Sequence, residues 1–319
     1  MTTGAEGDRR VLVVGEALVD IRLDEREGAD ATAQEHPGGS PLNIAVGLAR
    51  MGVPTALAAQ VGDDARGDDI ARHVSASGVE LLWLEPQHAT STATARIRPD
   101  GAATYHFELE WNPATLPDPS GFAWVHVGSI GSALAPGADL VAELVAAAAA
   151  AGVPVSFDPN VRTDITPDLD DVRRRTGALI DGATVVKLSD EDAEALFPGV
   201  GVEQVARDLV QRPTVQLAVI TRGGEGLLLH SDPASVTVQA PRMDVVDTIG
   251  AGDTVMAALI TGLLSQGAPG AGDRLDAEHL RRLGELATGA AAITCSRPGA
   301  DPPWHDELPE LSRGAATGQ

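Results

Sequence analysis

The sequence is poor in cysteine, lysine and aromatic residues. One cysteine in 319 residues, Cys295, excludes an intrachain disulfide framework and fits a reducing compartment. Lysine also occurs once, as Lys187, and the formal net charge is −23. Nucleic acids and anionic membranes require a basic footprint, so neither is an expected partner. A phosphate site in this chain must therefore be built locally, from backbone N–H groups, a few basic side chains and a metal ion.

Long apolar runs are also missing. The longest apolar stretch, residues 140–151, is interrupted by Glu143 and is too short and too polar to span a bilayer. Residues 1–10 lack the apolar segment of a signal peptide. Hydrophobic residues make up 43% of the chain, enough for a sizeable core. We therefore expect a soluble, cytoplasmic protein.

Several catalytic motifs are absent from the sequence. There is no Gly-x-x-x-x-Gly-Lys-Ser/Thr loop, no Gly-x-Gly-x-x-Gly after the first strand, no His-Glu-x-x-His and no Gly-x-Ser-x-Gly. These absences argue against a P-loop NTPase, a dinucleotide dehydrogenase, a zinc hydrolase and an α/β-hydrolase. The histidines show no metal-ligand spacing.

The most informative stretch that is present is residues 247–253, Asp-Thr-Ile-Gly-Ala-Gly-Asp, followed by apolar residues spaced as on one helix face. Small residues at 250–252 permit a tight turn, and the free N–H groups of the helix that follows favour an anion. Asp253 falls in the first helical turn, where a carboxylate can accept a hydroxyl proton beside a transferring phosphate. The alternative is an ordinary loop with an acidic first turn.

A second glycine-containing stretch precedes residues 40–52. Ser40 is predicted to cap a helix with Pro41 at its first position, and Gly52 to end it. Gly38 and Gly39 permit close approach of a ligand, and Asn43 offers both a donor and an acceptor, which suits a vicinal diol. Asp20 follows the first predicted strand, residues 11–14, where open α/β sheets place ligand contacts.

The remainder of the chain alternates between strands and helices. This pattern predicts a mostly parallel sheet with helices on both faces. Between residues 91 and 111 the periodicity changes to two, with Asp100-Gly101 at its centre, which predicts a hairpin inserted as a lid or an interface. A closing helix is predicted from about Ala277 to Cys295, and frayed residues after Glu310.

Taken together, these stretches resemble the ribokinase-like (PfkB) family of carbohydrate kinases. Residues 38–45 resemble its N-terminal signature, and residues 247–253 resemble its C-terminal signature in full. The resemblance implies a three-layer α/β/α fold with a mostly parallel central sheet and a small β-sheet lid. It spans residues 11–305, with lid segments at about 16–37 and 91–111 and terminal tails at 1–10 and 306–319.

The resemblance also implies an ATP-dependent transfer of phosphate to a sugar hydroxyl with Mg²⁺. Asp253 is then the base, and the N–H groups of Gly250, Ala251 and Gly252 form the anion hole. The sugar-binding candidates are Asp20, Gly38, Gly39, Asn43, Arg96 and Arg162. The nucleotide-binding candidates are Lys187, Thr221, Gly223, Gly224 and Gly226.

The metal site departs from the commonest family pattern. The family often has Asn-x-x-Glu near the metal, whereas residues 189–192 here read Ser-Asp-Glu-Asp. Asp192 keeps the carboxylate one methylene shorter, which a largely hydrated Mg²⁺ tolerates; Asp190 and Glu191 remain alternatives. Asp247 and the loop near Ser296 resemble a site for a monovalent cation such as K⁺.

Residues 158–162, 187–192 and 294–300 look most like the fructokinase branch. The expected acceptor is therefore fructose, at a primary hydroxyl. Arg162 also fits a 2-keto-3-deoxygluconate kinase, because its guanidinium can pair with a carboxylate. Ribokinase-type activity is a further alternative, and a non-catalytic sugar- or nucleotide-binding regulator is the alternative of another class. A homodimer through the lid is an additional expectation, since such lids are edge strands.

Overall fold

The computed structural model of the protein contains two β-sheets, one large and one small. Residues 10–24, 33–98, 100, 103–266 and 274–308 are described here. The nine strands of the large sheet, within those residues, are β1 (Val11–Val14), β4 (Thr55–Ala59), β5 (Glu80–Trp83), β8 (Trp124–Gly128), β9 (Val155–Asp158), β10 (Val185–Ser189), β11 (Leu217–Thr221), β12 (Leu227–Ser231) and β13 (Ala234–Val238). The small sheet contains β2 (Leu18–Asp24), β3 (Gln34–Gly38), β6 (Thr92–Ile97) and β7 (Ala103–Glu108).

The helices of the described residues are α1 (Ser40–Arg50), α2 (Ala65–Ala76), α3 (Ser129–Ala133), α4 (Gly137–Ala150), α5 (Leu169–Ile180), α6 (Asp190–Leu196), α7 (Val202–Val210), α8 (Ala251–Ser265) and α9 (Ala277–Cys295). None of them has the length and hydropathy required for a bilayer span.

The large sheet is mostly parallel, as the sequence predicts. Its order is β13-β12-β11-β10-β9-β8-β1-β4-β5, and the strands from β5 to β11 in this order pair in parallel. Only β12 and β13, among the described strands of this sheet, run antiparallel to their neighbours. The carboxyl ends of the parallel strands therefore lie along one edge, where ligands bind in open α/β sheets.

Two hydrophobic cores lie on opposite faces of this sheet. Val11 and Val13 of β1 pack with residues of α1, α8 and α9, whereas Leu12 and Val14 pack with residues of α4, α5 and α7. Successive residues of a strand point to opposite faces, so a strand buried on both sides is apolar throughout. The predicted three-layer α/β/α architecture is confirmed.

The small sheet contains the predicted hairpin. Strands β6 and β7 pair antiparallel from Thr92–Glu108 to Ile97–Ala103, and β2 joins β6 in parallel and β3 antiparallel. Val19 and Ile21 of β2 are buried in the core that contains α1, whereas Asp20 between them is exposed. The proposed frayed tail after Glu310 and part of the first lid segment, residues 25–32, lie outside the described residues.

One local prediction was wrong in detail, and one short helix was not predicted. Helix α1 begins at Ser40 with Gly39 as its N-cap, and no side chain caps it. The Ser40 hydroxyl donates instead to a carboxylate distant in sequence, as described below, which explains why it does not cap its own helix. The sequence pattern also gave no sign of the five-residue helix α3, which directly follows β8.

Candidate active site

The first turn of α8 lies at the carboxyl edge of the large sheet and carries Asp253. Gly250 precedes the helix in the left-handed conformation, with φ 75°, and a Cβ there would lie 2.6 Å from the Ala300 Cβ. Glycine is therefore required at this turn both by the backbone conformation and by the close packing. Gly252 follows it within the helix, and its N–H group has no helical acceptor because it belongs to the first turn.

The Asp253 carboxylate is held by two side chains of α1. Ser40 Oγ donates to its Oδ1 at 2.6 Å, and Asn43 Nδ2 donates to its Oδ2 at 2.8 Å. Hydrogen bonds to an ionised acceptor are short and strong. Two helices far apart in the sequence thus fix the orientation of one carboxylate at the helix N-terminus.

Asp20 lies next to this carboxylate on the small sheet. A Cβ at Gly38, on the adjacent strand β3, would lie 2.1 Å from Asp20 Oδ2. Desolvation by the protein atoms around its carboxyl group raises the pKa of Asp20 to about 6, with His36 lowering it and Asp253 adding to the increase. Gly39, with φ 107°, then leads into α1 and Asn43. The structure therefore brings together Asp20, Gly38, Gly39, Asn43 and Asp253, as the sequence predicted.

Arg96 is one of two sugar-binding candidates that the structure does not place with this group; Arg162 is the other. It pairs in register with Leu23, on the face of the small sheet that carries Val19 and Ile21. Asp20 points to the opposite face, where it pairs with Ala93, which itself pairs with Phe107. We therefore leave Arg96 out of the proposed site.

Arg162 lies apart from this group, in the loop after β9. It is exposed and lines a small cavity together with Ser129 and Asn160. Its Nη1 donates to the carbonyl of Val161 at 3.2 Å. The Arg162 guanidinium is therefore accessible from solvent at the rim of this cavity.

A buried ion pair lies beneath the first turn of α8. Lys187 Nζ donates to Asp158 Oδ2 at 2.5 Å, and both side chains are almost completely buried. Burial tends to lower the pKa of Lys187, but Asp158 outweighs this effect, with smaller contributions from Asp192 and Asp253, and the pKa is raised. Burial raises the pKa of Asp158 to about 6 although Lys187 opposes the shift. A Cβ at Gly252 would be 3.5 Å from Lys187 Nζ, so the ammonium lies directly beside the predicted anion hole.

One of the three N–H groups of the predicted anion hole forms a hydrogen bond within the described part of the protein. The Ala251 N–H donates to the Thr248 carbonyl over 3.2 Å, a long hydrogen bond. Gly250 and Gly252 flank it at the helix start, where the helix dipole favours a phosphate.

The predicted nucleotide loop connects β11 and β12. Thr221 ends β11 next to Ser189, and a short turn at Gly223–Glu225 follows. Gly223 and Gly224 are exposed and have open space around them, whereas Gly226, with φ 94°, is packed against the Val238 carbonyl. The exposed pair leaves the backbone accessible at the carboxyl edge of the sheet.

The candidate metal residues are engaged by backbone N–H groups. Asp192 accepts from Val161 N–H at 2.8 Å and from Ser189 N–H at 2.9 Å, and it forms a capping box with Ser189 at the start of α6. Asp190 and Glu191 are exposed. Within the described ranges, no cluster of three or more potential metal ligands occurs. One oxygen of the neighbouring Asp158, Oδ1, is buried without a hydrogen-bond partner in the described part of the chain.

Asp247 joins the loop before α8 to the segment after α9. Its Oδ1 accepts from Ile249 N–H at 3.0 Å and its Oδ2 from Gly299 N–H at 2.9 Å. Partial burial tends to raise the pKa of Asp247, but these hydrogen bonds outweigh it and the pKa is lowered. The N–H groups of Val246 and Asp247 in turn donate to the Cys295 carbonyl. The loop is therefore fastened to the end of α9 near Ser296.

Sequence reasoning missed two buried carboxyl groups at this edge of the sheet, Asp158 and Glu16. Glu16 follows β1 directly, is 5% exposed, and its Oε2 accepts from Gly131 N–H at 2.8 Å. Its position immediately after a parallel strand was the signal available in the sequence. The sequence pattern predicts that Asp20 also follows β1, whereas the structure has it within β2 of the small sheet.

Comparison with known proteins gives the following similarities. Residues 8–307 match the family model described as pfkB family carbohydrate kinase. A fructokinase from Escherichia coli is 31% identical over 302 residues, covering 91% of this chain and 94% of that protein. An uncharacterized sugar kinase from Pyrococcus horikoshii, also solved in complex with ATP, has a TM-score of 0.78 at 25% identity over 96% of this chain and 98% of its own.

A further structure shares the fold. A fructokinase double mutant from Vibrio cholerae, solved with fructose, ADP and potassium ion, has a TM-score of 0.77 at 24% identity. That alignment covers 99% of this chain and 100% of the other.

Proposed function

Because the chain belongs to the pfkB family of carbohydrate kinases, and is an ATP-dependent sugar kinase, we propose that its acceptor is fructose, phosphorylated at a primary hydroxyl. The support for fructose is the 31% identity to a protein named fructokinase over most of both chains. The observation that carries the catalytic part is Asp253, held by Ser40 and Asn43 at the start of α8. A non-catalytic regulator is set aside, since the chain keeps this carboxylate and the turn beside it.

In the proposed reaction, Asp253 accepts the proton of the sugar hydroxyl. The hydroxyl oxygen forms a bond to the γ-phosphorus, the bond to the β–γ bridging oxygen breaks, and ADP leaves. Asp20 and Asn43 orient the sugar hydroxyls. The N–H groups at Gly250–Gly252 receive the phosphate oxygens, and Lys187 compensates their charge from beneath the turn.

ATP is proposed to bind across the loop between β11 and β12. Gly223 and Gly224 present accessible backbone there, Thr221 leads into the loop from β11, and Gly226 shapes the loop. Mg²⁺, when bound, neutralises charge on the β- and γ-phosphates. Asp192 and the unpartnered Oδ1 of Asp158 fit contacts to a hydrated Mg²⁺ through water, because hydrated Mg²⁺ uses few protein ligands. Asp247 is the proposed anchor of a K⁺ site.

Initial rates of ADP release with Mg²⁺-ATP test the acceptor. The panel contains fructose, ribose, 2-keto-3-deoxygluconate, fructose 6-phosphate, tagatose and adenosine. We expect kcat/KM for fructose to exceed that for each other acceptor by at least about tenfold. Equal or higher values for another sugar would overturn the assignment. Replacing K⁺ by Na⁺ in the same assay tests the monovalent site.

The exposed Arg162 supports 2-keto-3-deoxygluconate as the second candidate acceptor. Its exposed guanidinium can form paired hydrogen bonds with a sugar carboxylate. Arg162→Met would then abolish turnover of 2-keto-3-deoxygluconate and spare fructose. If fructose turnover falls equally, Arg162 does not distinguish the two acceptors.

A homodimer through the small sheet and a cytoplasmic location remain part of the proposal. The strands β3 and β7 are edges of the described sheet, and Tyr105 on β7 is 62% exposed. Exposed edge strands invite pairing with another chain. Light scattering during size-exclusion chromatography should give a dimer for the wild type and a monomer for Tyr105→Asp; a monomeric wild type would exclude the dimer.

A further inference from the structure

Glu16 is a buried carboxyl group at the edge of the acceptor site. It follows β1 and Gly15, and its Oε2 accepts from Gly131 N–H at 2.8 Å, while the Ser129 side chain also hydrogen-bonds to it. A Cβ at Gly131 would lie 2.8 Å from the Gly15 Cα, so helix α3 packs directly against the end of β1. The proposed transfer reaction uses neither Glu16 nor α3.

Two residues next to Glu16 have an uncommon backbone conformation. Ser129 has φ 52° and Asn160 has φ 41°, and Asn160 Nδ2 donates to Ser129 Oγ at 3.3 Å. They directly follow β8 and closely follow β9, which are neighbours in the large sheet. Non-glycine residues adopt left-handed conformations where surrounding contacts enforce them, and such positions cluster at ligand sites. Glu16, Ser129 and Asn160 therefore form one hydrogen-bonded series across the ends of three strands.

This series leads from Glu16 to the small cavity beside Arg162. The Glu16 main chain also packs against the start of α1, where a Cβ at Gly39 would lie 2.8 Å from the Glu16 carbonyl oxygen. The charge of Asp253 makes a small contribution to the raised pKa of Glu16. At the other end, Ser129 and Asn160 line the cavity with Arg162. Glu16 thus lies between the start of α1, whose Ser40 and Asn43 hold Asp253, and the loops that carry Ser129 and Asn160.

We propose that Glu16 is a positioning residue of the acceptor site, which holds Ser129, and through it Asn160, against the pocket that Asp253 faces. This inference rests on the proposed kinase reaction at that pocket. Glu16 does not exchange a proton with the sugar. It sets the shape of the pocket wall and the charge beside the base.

The charge state of Glu16 follows from its surroundings. Burial raises its pKa to about 7, the hydrogen bonds of Ser129 and Gly131 oppose the shift, and Asp253 adds to it. The other charged groups at this edge are Asp20 on β2 and the ion pair of Lys187 on β10 with Asp158 on β9, together with Arg162 in the following loop. Below pH 7 the Glu16 carboxyl is neutral and adds no charge to this edge of the sheet. Above pH 7, ionised Glu16 repels both Asp253 and the incoming phosphate.

The test is the pH dependence of kcat/KM for the acceptor, measured at saturating Mg²⁺-ATP. We expect the wild-type value to fall by about tenfold from pH 6 to pH 8.5, with a midpoint near 7. Glu16→Gln keeps the shape of the side chain and can still form hydrogen bonds, but it cannot ionise. The kcat/KM of this variant should therefore stay constant from pH 6 to pH 8.5. If kcat/KM of Glu16→Gln still declines near pH 7, another group causes the decline, and the proposed effect of the Glu16 charge is wrong.

A second variant tests the positioning role without relying on ionisation. Ser129→Gly retains the left-handed backbone and removes the hydroxyl that links Glu16 to Asn160. We expect KM for the acceptor to rise about tenfold while kcat and KM for ATP change less than about threefold. Unchanged KM for the acceptor would overturn the inference. Asp276→Asn, which removes a carboxylate at the distant start of α9, is the control and should alter neither KM nor the pH profile.

The two hypotheses fail in different ways. If wild-type protein turns over no sugar in the panel, the proposed acceptor is wrong. If it turns over one sugar well and the variants behave as the wild type, only the role of Glu16 is wrong. The profiles are therefore measured with whichever acceptor the wild type uses best.

Discussion

At the residue scale, the Asp253 carboxylate is the side chain on which the proposed reaction depends most. Both of its oxygens accept hydrogen bonds from α1, so its orientation is fixed before a sugar binds. Asp253→Asn keeps this shape and removes the proton acceptor. We expect kcat to fall by about 10²- to 10⁴-fold with little change in the sugar Kd, because a general base contributes in that range. ADP release and calorimetric sugar binding measure the two effects, and a near-normal kcat would exclude Asp253 as the base.

Gly38 offers a second test at this scale. An added Cβ would lie 2.1 Å from Asp20 Oδ2, so Gly38→Ala must displace the Asp20 carboxylate. We expect KM for the acceptor to rise by about tenfold or more, since an orienting contact is lost. Gly289→Ala is the matched control, because a Cβ there meets no atom within 4 Å. It should be kinetically silent, whereas a silent Gly38→Ala would remove Asp20 from the acceptor site.

At the scale of elements, local patterns predicted much of the structure. The closing helix occupies Ala277–Cys295 as predicted, and the hairpin strands β6 and β7 flank the expected turn. Such elements can be predicted because their capping residues and hydrophobic periodicity lie within a short stretch of sequence. Helix α3 has no such pattern, because it spans only five residues and begins at Ser129, whose backbone is in the left-handed conformation. Its conformation is set by contacts with Glu16, which lies more than a hundred residues earlier in the chain.

The pairing of strands β9 and β10 places Asp158 beside Lys187 and leads to a third prediction. Lys187→Met removes the ammonium from a buried pair and leaves Asp158 uncompensated. We expect a loss of about 3–5 kcal/mol in the free energy of unfolding and a higher KM for ATP. Urea unfolding and ADP-release kinetics measure the two effects.

The double variant Lys187→Met with Asp158→Asn separates stability from function. Because the uncompensated charge is gone, most of the lost free energy of unfolding should return. KM for ATP should stay high, since the cation beside Gly252 is still missing. If KM recovers with stability, Lys187 has a structural role and does not serve the phosphate.

At the scale of the whole molecule, the site is assembled from contacts that no local pattern contains. Ser40 and Asp253 are 213 residues apart, and Glu16 and Gly131 are 115 apart. The family resemblance supplied the grouping of Gly38, Asn43 and Asp253 through its two signatures, and it added Asp20 as a matching sugar-binding position outside them. Glu16 and Asp158 lay outside those signatures, and only the sheet order shows that they share one edge with Asp253.

This grouping of buried carboxyl groups also affects the stability of the molecule. The pKa of Glu16 rises from 4.5 to about 7 on folding because of burial. The folded state therefore binds more protons than the unfolded state between those values, and the free energy of unfolding falls as pH rises through this window. One such shift corresponds to about 3 kcal/mol by pH 8. Asp20, also raised, acts in the same direction.

Thermal unfolding of Glu16→Gln from pH 5 to pH 8 measures this contribution. The variant carries no ionisation penalty, so its Tm should exceed that of the wild type at pH 8, and the difference should vanish near pH 5, where Glu16 is protonated. Asp276→Asn provides a comparison of opposite sign: hydrogen bonds from His279 hold the pKa of Asp276 low, so its removal should destabilise the protein at pH 8 and matter less as pH falls. A constant Tm difference between Glu16→Gln and the wild type would show that Glu16 does not titrate in this range. The hypothesis that Glu16 is neutral below pH 7 and ionised above it would then be wrong.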